Sequence, residues 1–290
     1  MSGLIMSILL KTLRAKNTIL GTLSTKRTAL AAAKLFTRPR RLPVKSWEVE
    51  MENRGRRVAY GSGLSAITWG ESERKILLVH GWESRATQVS GFVEDLVKSG
   101  YQVIAIDGPA HGQSIGRSAN PYMFTKAIHL ADEEFGPFAG AIGHSMGGNA
   151  LATALAEGFE CAKTVLISSP SNIENVLMRF ADFIGLPSKT KPLFISAVEK
   201  EVGKPARALN TSKNIQKSNS EYLIIHDQND LEIPFSDAED IASNSDEISL
   251  LKTEGFGHRL IIRQPVVWKK VAEFFSSARL HNLDTQRTAA

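Results

Sequence analysis

AIGHSMGGNA, residues 141–150, sets one serine, Ser145, between Gly143 and Gly147, with Gly148 next along. Glycine on both sides lets a chain turn tightly without a Cβ striking its neighbours. Such a string is either a softened turn between two elements or a hydroxyl held out on a strained bend, and the flanks decide which. On the N-terminal side PFAGAIGHS (137–145) is a short run of small and aliphatic residues, which predicts a buried strand. On the C-terminal side MGGNALATALAEGFE (146–160) is rich in alanine and predicts a helix. A serine at a strand-to-helix junction of this kind is lifted above the edge of a sheet, where it can act as a nucleophile.

Working outward, the same alternation recurs. KILLVHGWE (75–83) reads as a strand and ATQVSGFVEDLVKSG (86–100) as an amphipathic helix closed by Gly100. YQVIAIDGPAHGQS (101–114) is a strand entering a loop, and NPYMFTKAIHLADEEFG (120–136) a helix. Beyond the serine come AKTVLISSP (162–170), a helical insertion from about 171 to 213, SEYLIIHDQND (220–230), FSDAEDIASNS (235–245), DEISLLKTEGFGH (246–258) and PVVWKKVAEFFSSARL (265–280). Upstream, SWEVEME (46–52) and RRVAYGSG (56–63) alternate polar and apolar residues. They predict an antiparallel hairpin with ENRG (52–55) as its turn, extended by LSAITWGE (64–71). Strands alternating with helices define the α/β class, a mostly parallel sheet covered by helices on both faces. The expected organisation is a body over residues 47–280, a short helical lid inserted after the sixth strand, and a polar, frayed tail at 281–290. No repeat of 20–50 residues is visible.

A serine hydroxyl becomes a nucleophile when a base accepts its proton and an acid orients that base. GFGH puts His258 in a glycine-rich loop after the last strand, and HDQNDLEIP (226–234) puts Asp230 on the loop after the strand before it. The chain order is serine, acid, histidine.

In these residues the chain resembles the α/β-hydrolase-fold serine hydrolases, esterase-like, over roughly 47–280. HGW (80–82) is similar to that family's loop after the third strand, DGPAHGQS (107–114) to its D-x-x-x-x-G-x-S loop, GHSMGG (143–148) to its nucleophile elbow, HDQNDLEIP to its acid loop, and GFGH to its histidine loop. The resemblance implies Ser145, Asp230 and His258 as catalytic residues. It implies the backbone N–H groups of Trp82 and Met146 as an oxyanion hole, the latter at a helix N-terminus. Asp227 stands where the pattern has glycine and is a rival carboxylate; Asp230 is preferred because it matches the motif position and Pro234 follows at the expected distance. His80, His111 and His144 are expected to shape loops. His226 is expected to be a packing residue, His129 a solvated one, and His281 part of the tail. A serine at 145 argues against haloalkane dehalogenase and epoxide hydrolase chemistry, which needs a carboxylate there.

Ester or thioester hydrolysis through an acyl-enzyme is the leading expectation. A slow-turnover ligand-binding or partner-docking protein and an acyltransferase are the alternatives, since this architecture hosts all of them. In the insertion, Ile173, Val176, Leu177, Phe180, Phe183 and Ile184 recur at helical spacing, predicting a lid core and a small or medium acyl-ester substrate. No histidine pair has metal-ligand spacing, and no G-x-G-x-x-G or G-K-S/T string is present, so neither metal nor cofactor is expected. Cys161, the one cysteine, precludes an internal disulfide and reads as a small packing residue before a strand.

The 290 residues are 42% hydrophobic and carry a net charge of +5, but that charge is uneven. Residues 1–47 hold ten Lys/Arg and no Asp/Glu, which leaves the body mildly acidic and removes any nucleic-acid footprint from it. Leu4, Ile5, Ile8, Leu9 and Leu13 have helical spacing, interrupted or followed by Lys11, Arg14 and Lys16. No run is long enough to span a bilayer, and a cleavable signal places its charge before the apolar stretch. Residues 1–46 therefore read as a basic helical segment: a transit peptide, a peripheral membrane contact through residues 1–40, or a helix packed on the body. A cytoplasmic location, with or without surface association with membrane, is expected. Every catalytic element lies beyond residue 75, so the segment reads as separable from the chemistry.

Overall fold

Residues 3–277 are described by a computed structural model, with side chains from residue 7 onward; the tail expected at 281–290, His281 included, lies outside them. The strands are β1 (Arg56–Tyr60), β2 (Leu64–Trp69), β3 (Lys75–Val79), β4 (Gln102–Asp107), β5 (Gly140–His144), β6 (Lys163–Ile167), β7 (Glu221–Asp227) and β8 (Ser249–Thr253). They form one sheet in the order β1-β2-β4-β3-β5-β6-β7-β8. β2 is antiparallel to β1 and β4, and every other pairing is parallel.

The period-two geometry of a strand divides the aliphatic runs between two faces. On β3, Leu77 and Val79 enter one apolar core with Ile104 and Ile106 of β4; Ile76 and Leu78 enter the other with Val103 and Ala105. The first face is covered by α5 (Pro121–Phe135), α6 (Met146–Ala156) and α10 (Phe235–Ala242). A 3₁₀ turn (Ala86–Phe92), α4 (Val93–Lys98) and the last described helix, Pro265–Ser276, cover the second. The helix expected over 86–100 is thus a 3₁₀ turn running into α4, ended by Gly100 at φ +83°.

The hairpin expected at its upstream end is wrong by one element. Residues 46–53 form α3 (Ser46–Asn53), and the hairpin is β1 with β2, turned at Gly61 and Gly63 in left-handed conformations. Alternation in SWEVEME misleads because Glu48, read as a solvent residue, is fully buried, whereas Val49 is exposed. Glu48 accepts hydrogen bonds from the Lys45 N–H (3.2 Å) and the Thr87 hydroxyl (2.8 Å) and lies 3.5 Å from Arg85 Nε. Meanwhile the Met51 carbonyl accepts from the Trp69 indole at 2.9 Å. A buried, fully partnered carboxylate outweighed local strand propensity.

The chain between β6 and β7 carries α7 (Ile173–Phe183), α8 (Lys191–Val202) and α9 (Thr211–Asn214), and the N-terminal segment carries α1 (Gly3–Leu23) and α2 (Thr25–Phe36). These two regions share a third apolar core. Ala29, Ala32 and Ala33 of α2 meet Ile173, Leu177 and Ala181 of α7 and Phe194 and Val198 of α8. Within the predicted stripe Ile173, Leu177 and Ile184 are buried, Val176 and Phe180 partly so, and Phe183 is exposed. α1 rests on the α7–α8 connection, where Asn17 Nδ2 donates to the Ile184 carbonyl (2.8 Å) and a Cβ at Gly21 would lie 2.7 Å from Pro187.

Candidate active site

β5 ends at His144 and α6 begins at Met146, so Ser145 between them takes a conformation that neither element uses, φ +54° and ψ −123°. For a non-glycine residue that costs of order 1–3 kcal/mol. Close backbone packing holds it there. A Cβ at Gly147 would sit 2.4 Å from the His80 carbonyl oxygen, and the Ser145 N–H donates to Ile167 at 2.8 Å.

Three loops at the carboxyl ends of β5, β7 and β8 bring Ser145, Asp230 and His258 together. His258 Nε2 lies 2.9 Å from Ser145 Oγ, and its Nδ1 2.7 Å from Asp230 Oδ2. A carboxylate only accepts, so Nδ1–H donates to Asp230 and Nε2 is left to accept from the serine hydroxyl. Asp230 Oδ1 accepts from the N–H groups of Glu232 (2.8 Å) and Ile233 (2.9 Å). Burial pushes the Asp230 carboxyl up, but hydrogen bonds from His226 and His258, the His258 charge and the Ile233 N–H outweigh it and hold the group well below the ordinary carboxylate range. His144 Nε2–H donates to the His258 carbonyl at 2.9 Å and fixes that loop; burial first, then the neighbouring His258, pushes His144 down to about 3.

Asp227, the rival carboxylate, faces elsewhere. It accepts from the Asn229 N–H (3.0 Å), the Thr253 hydroxyl (2.8 Å) and the Phe256 N–H (3.0 Å), tying the loop after β7 to the one after β8. Burial opposes its charge, yet these bonds hold its pKa below the ordinary value.

Among the described residues, neither the Trp82 nor the Met146 N–H donates to another group of the fold, and Met146 opens α6. Gly81 brings the Trp82 loop against the elbow, its ideal Cβ position being 2.9 Å from Ser145 Cβ. His80 and His111 shape the surrounding loops. His80 Nδ1–H donates to Gly81 O (2.7 Å) while Nε2 accepts from the Gly108 N–H (2.9 Å); His111 Nδ1–H donates to Pro109 O while Nε2 accepts from the Glu83 N–H at 3.0 Å. Asp107 is buried in a pair with Arg57 (2.8 Å) and accepts from the Ala86 N–H, which anchors the D-x-x-x-x-G-x-S loop.

Two features went unread in the sequence. Glu83, directly after Trp82 and itself at φ +54°, is gripped by Arg40: Arg40 Nε and Nη2 reach its two oxygens at 2.8 and 2.6 Å, and the Arg40 N–H adds a third bond at 3.1 Å. Phe36 stacks on Trp82 with centroids 6.4 Å apart and meets Phe180 and Phe194 edge-on. Residues 36–41 therefore reach the site from which the sequence reading separated them. Nothing in the basic run TRPRR marks Arg40 apart from its neighbours. His226, expected only to pack, also lies 3.4 Å from Asp230; its position four residues before the acid was the available signal. His129 is half-buried rather than solvated. Cys161 is half-buried before β6, its thiol pushed up to about 11 by burial. A cavity of about 390 Å³ lined by Trp47, Met51, Arg263 and Trp268 shares no lining residue with the Ser145 row. Among the described residues no three His, Cys, Asp or Glu side chains are grouped to hold a metal ion.

The profile of the alpha/beta hydrolase family matches residues 76–219. A serine hydrolase-like protein of Dictyostelium discoideum is 30% identical over 139 residues, 46% of this chain, and the match spans only 35% of that protein's length. Among solved structures, an esterase of Pyrococcus furiosus superposes with a TM-score of 0.60 at 21% identity, covering 82% of this chain and 97% of its own. An esterase of Exiguobacterium antarcticum gives 0.58 at 17% identity over 77% and 100%. A bromoperoxidase of Bacillus anthracis gives 0.54 at 17% over 76% and 99%.

Proposed function

Taking as premise that this is an α/β-hydrolase-fold, esterase-like chain, we propose that it is a serine hydrolase cleaving a carboxylic ester or thioester through an acyl-enzyme on Ser145. The observation that carries this reading is the hydrogen-bonded row Ser145 Oγ, His258, Asp230 at 2.9 and 2.7 Å. Ser145 Oγ attacks the carbonyl carbon as His258 Nε2 takes its proton. Asp230 stabilises the imidazolium, and the N–H groups of Trp82 and Met146 hold the oxygen that becomes negative. His258 then returns the proton to the leaving alcohol or thiol, and a water molecule repeats the sequence to release the acid. The short insertion between β6 and β7 supports a small or medium acyl group, and the half-buried rings of Trp82, Phe36 and Phe180 offer it an apolar surface, with Phe194 fully buried behind them.

A panel of p-nitrophenyl esters of rising chain length tests the reading. Hydrolysis is expected to peak at short to medium chains and to vanish in Ser145→Ala, with the fold intact because the hydroxyl supports no core. Turnover that persists in that variant refutes the nucleophile. A wild type that binds such esters without turning them over supports a ligand-binding protein instead.

A further inference from the structure

α1 presents five of its described aliphatic side chains outward. The face on the body is carried by Leu13, Arg14, Asn17 and Gly21. Leu13 packs on the third core, the Arg14 backbone lies under Gly185, Asn17 donates to the Ile184 carbonyl, and Gly21 abuts Pro187. That leaves Ile8, Leu9, Ile19, Leu20 and Leu23 between 41% and 77% exposed. At the period of 3.6 residues these five fall on one side of the helix, with Thr12 and Lys16 among them. The Thr12 hydroxyl is turned back onto the Ile8 carbonyl at 3.0 Å, which hides its polarity. A helix serving only the body would turn such residues inward.

Charge identifies what covers the face. Lys11, Lys16, Lys26, Arg27 and Lys34 are exposed, and among the described residues none of them is in an ion pair, whereas Arg40 is held by Glu83. With no acid in the first 47 residues, a second copy presenting the same face would meet like charge. An anionic lipid surface complements both the aliphatic row and the cations. No described helix is long and apolar enough to cross a membrane, so α1 lies along the surface rather than through it. We propose that the outer face of α1 docks the protein on anionic membrane, its aliphatic residues entering the headgroup layer and its lysines pairing with lipid phosphates. This surface is independent of the chemistry at Ser145.

The test is co-sedimentation of the full chain with vesicles of phosphatidylcholine alone and of phosphatidylcholine with phosphatidylserine, at low and at high salt. Wild type pellets with the mixed vesicles at low salt, and less with neutral vesicles or at high salt. Two variants, Leu9→Asp/Ile19→Asp/Leu23→Asp and Lys11→Glu/Lys16→Glu, each partition at least about tenfold less. Their melting midpoints stay unchanged, because all five side chains are exposed. Equal pelleting by variants and wild type overturns the proposal, as does wild type that stays in the supernatant throughout. So does a lipid-free dimer that the triple aspartate variant dissociates, which gives the face to a second copy.

Discussion

At the carboxyl end of the sheet three short loops bring Ser145 within 2.9 Å and Asp230 within 2.7 Å of His258. Over residues 3–45 two helices and an extended strap hold on through apolar faces, the grip of Arg40 on Glu83, and hydrogen bonds such as those from Arg41 to the Gly112 and Ser114 carbonyls. In the first region part of the constraint is local. Ser145 must turn at φ +54° beside a glycine, and Asp230 must accept two N–H groups from the residues just after it. Constraints of this kind leave fixed residues at fixed spacing. In the second region the constraint is the shape of a distant surface, which fixes a pattern of sizes and no residue type. The alanines of α2 pack against Leu177 and Phe194, whose burial contributes roughly 1.5–3 kcal/mol each. Neither set names the other in the sequence.

The sharpest way to break the comparison is to exchange the two carboxylates after β7. Asp230→Asn should lower kcat about 10⁴-fold, since the amide cannot hold His258 in the tautomer that accepts the serine proton. Asp227→Asn should leave kcat within about tenfold while costing roughly 1–3 kcal/mol in a urea melt, because it weakens bonds from Thr253, Phe256 and Asn229. The reverse ranking would place the acid at Asp227 and break the link between local motif and site.

A smaller effect tests the other region. Arg40 is mostly exposed, so its pair with Glu83 adds little to stability, yet it grips the residue after Trp82. Arg40→Ala is expected to lower kcat on the order of tenfold with KM and melting midpoint nearly unchanged, the loss coming from a displaced Trp82 N–H. Arg40→Lys should recover part of it. Deleting residues 1–41 should cost more than Arg40→Ala, because it also removes Phe36 from Trp82. An activity that survives that deletion within about threefold would restore the separable segment that the sequence reading expected.

How much was legible follows the same division. The order of elements from β3 onward, the positions of the elbow, the acid loop and the histidine loop, and the loop-shaping places of His80, His111 and His144 could all be read, because each lies in a short string of fixed residue types at fixed spacing, even where the bond it makes, such as His144 to the His258 carbonyl, spans 114 residues. α3 could not, because its register depends on burying Glu48 against Thr87 and Arg85, some forty residues away. Arg40 and Phe36 were unreadable for the same reason.

The smallest effect is in acid. His80 and His144 are buried and held below their ordinary pKa, chiefly by burial, so the folded state resists the protons that the unfolded chain binds. Their contribution is therefore complete above about pH 6.5 and is lost as pH falls, at up to roughly 1.4 kcal/mol per pH unit for each histidine; for His144 the loss ends near 3. Asp230 and Asp227, with lowered values, add losses only below the ordinary carboxylate range. Urea melts from neutral to acid pH should show this slope, and His144→Gln should flatten it by one proton. An unchanged slope would mean that His144 titrates alike in both states. α1 and α2, which contain no histidine, should add nothing to it.

The most direct test of the central claim is to quench the protein with acid while it turns over p-nitrophenyl acetate and to locate the acetyl group by peptide mass mapping. It is predicted on Ser145, and on no residue in Ser145→Ala. An acetyl group on Cys161 or another serine, or continued turnover with no acetyl-enzyme at any time point, would contradict it.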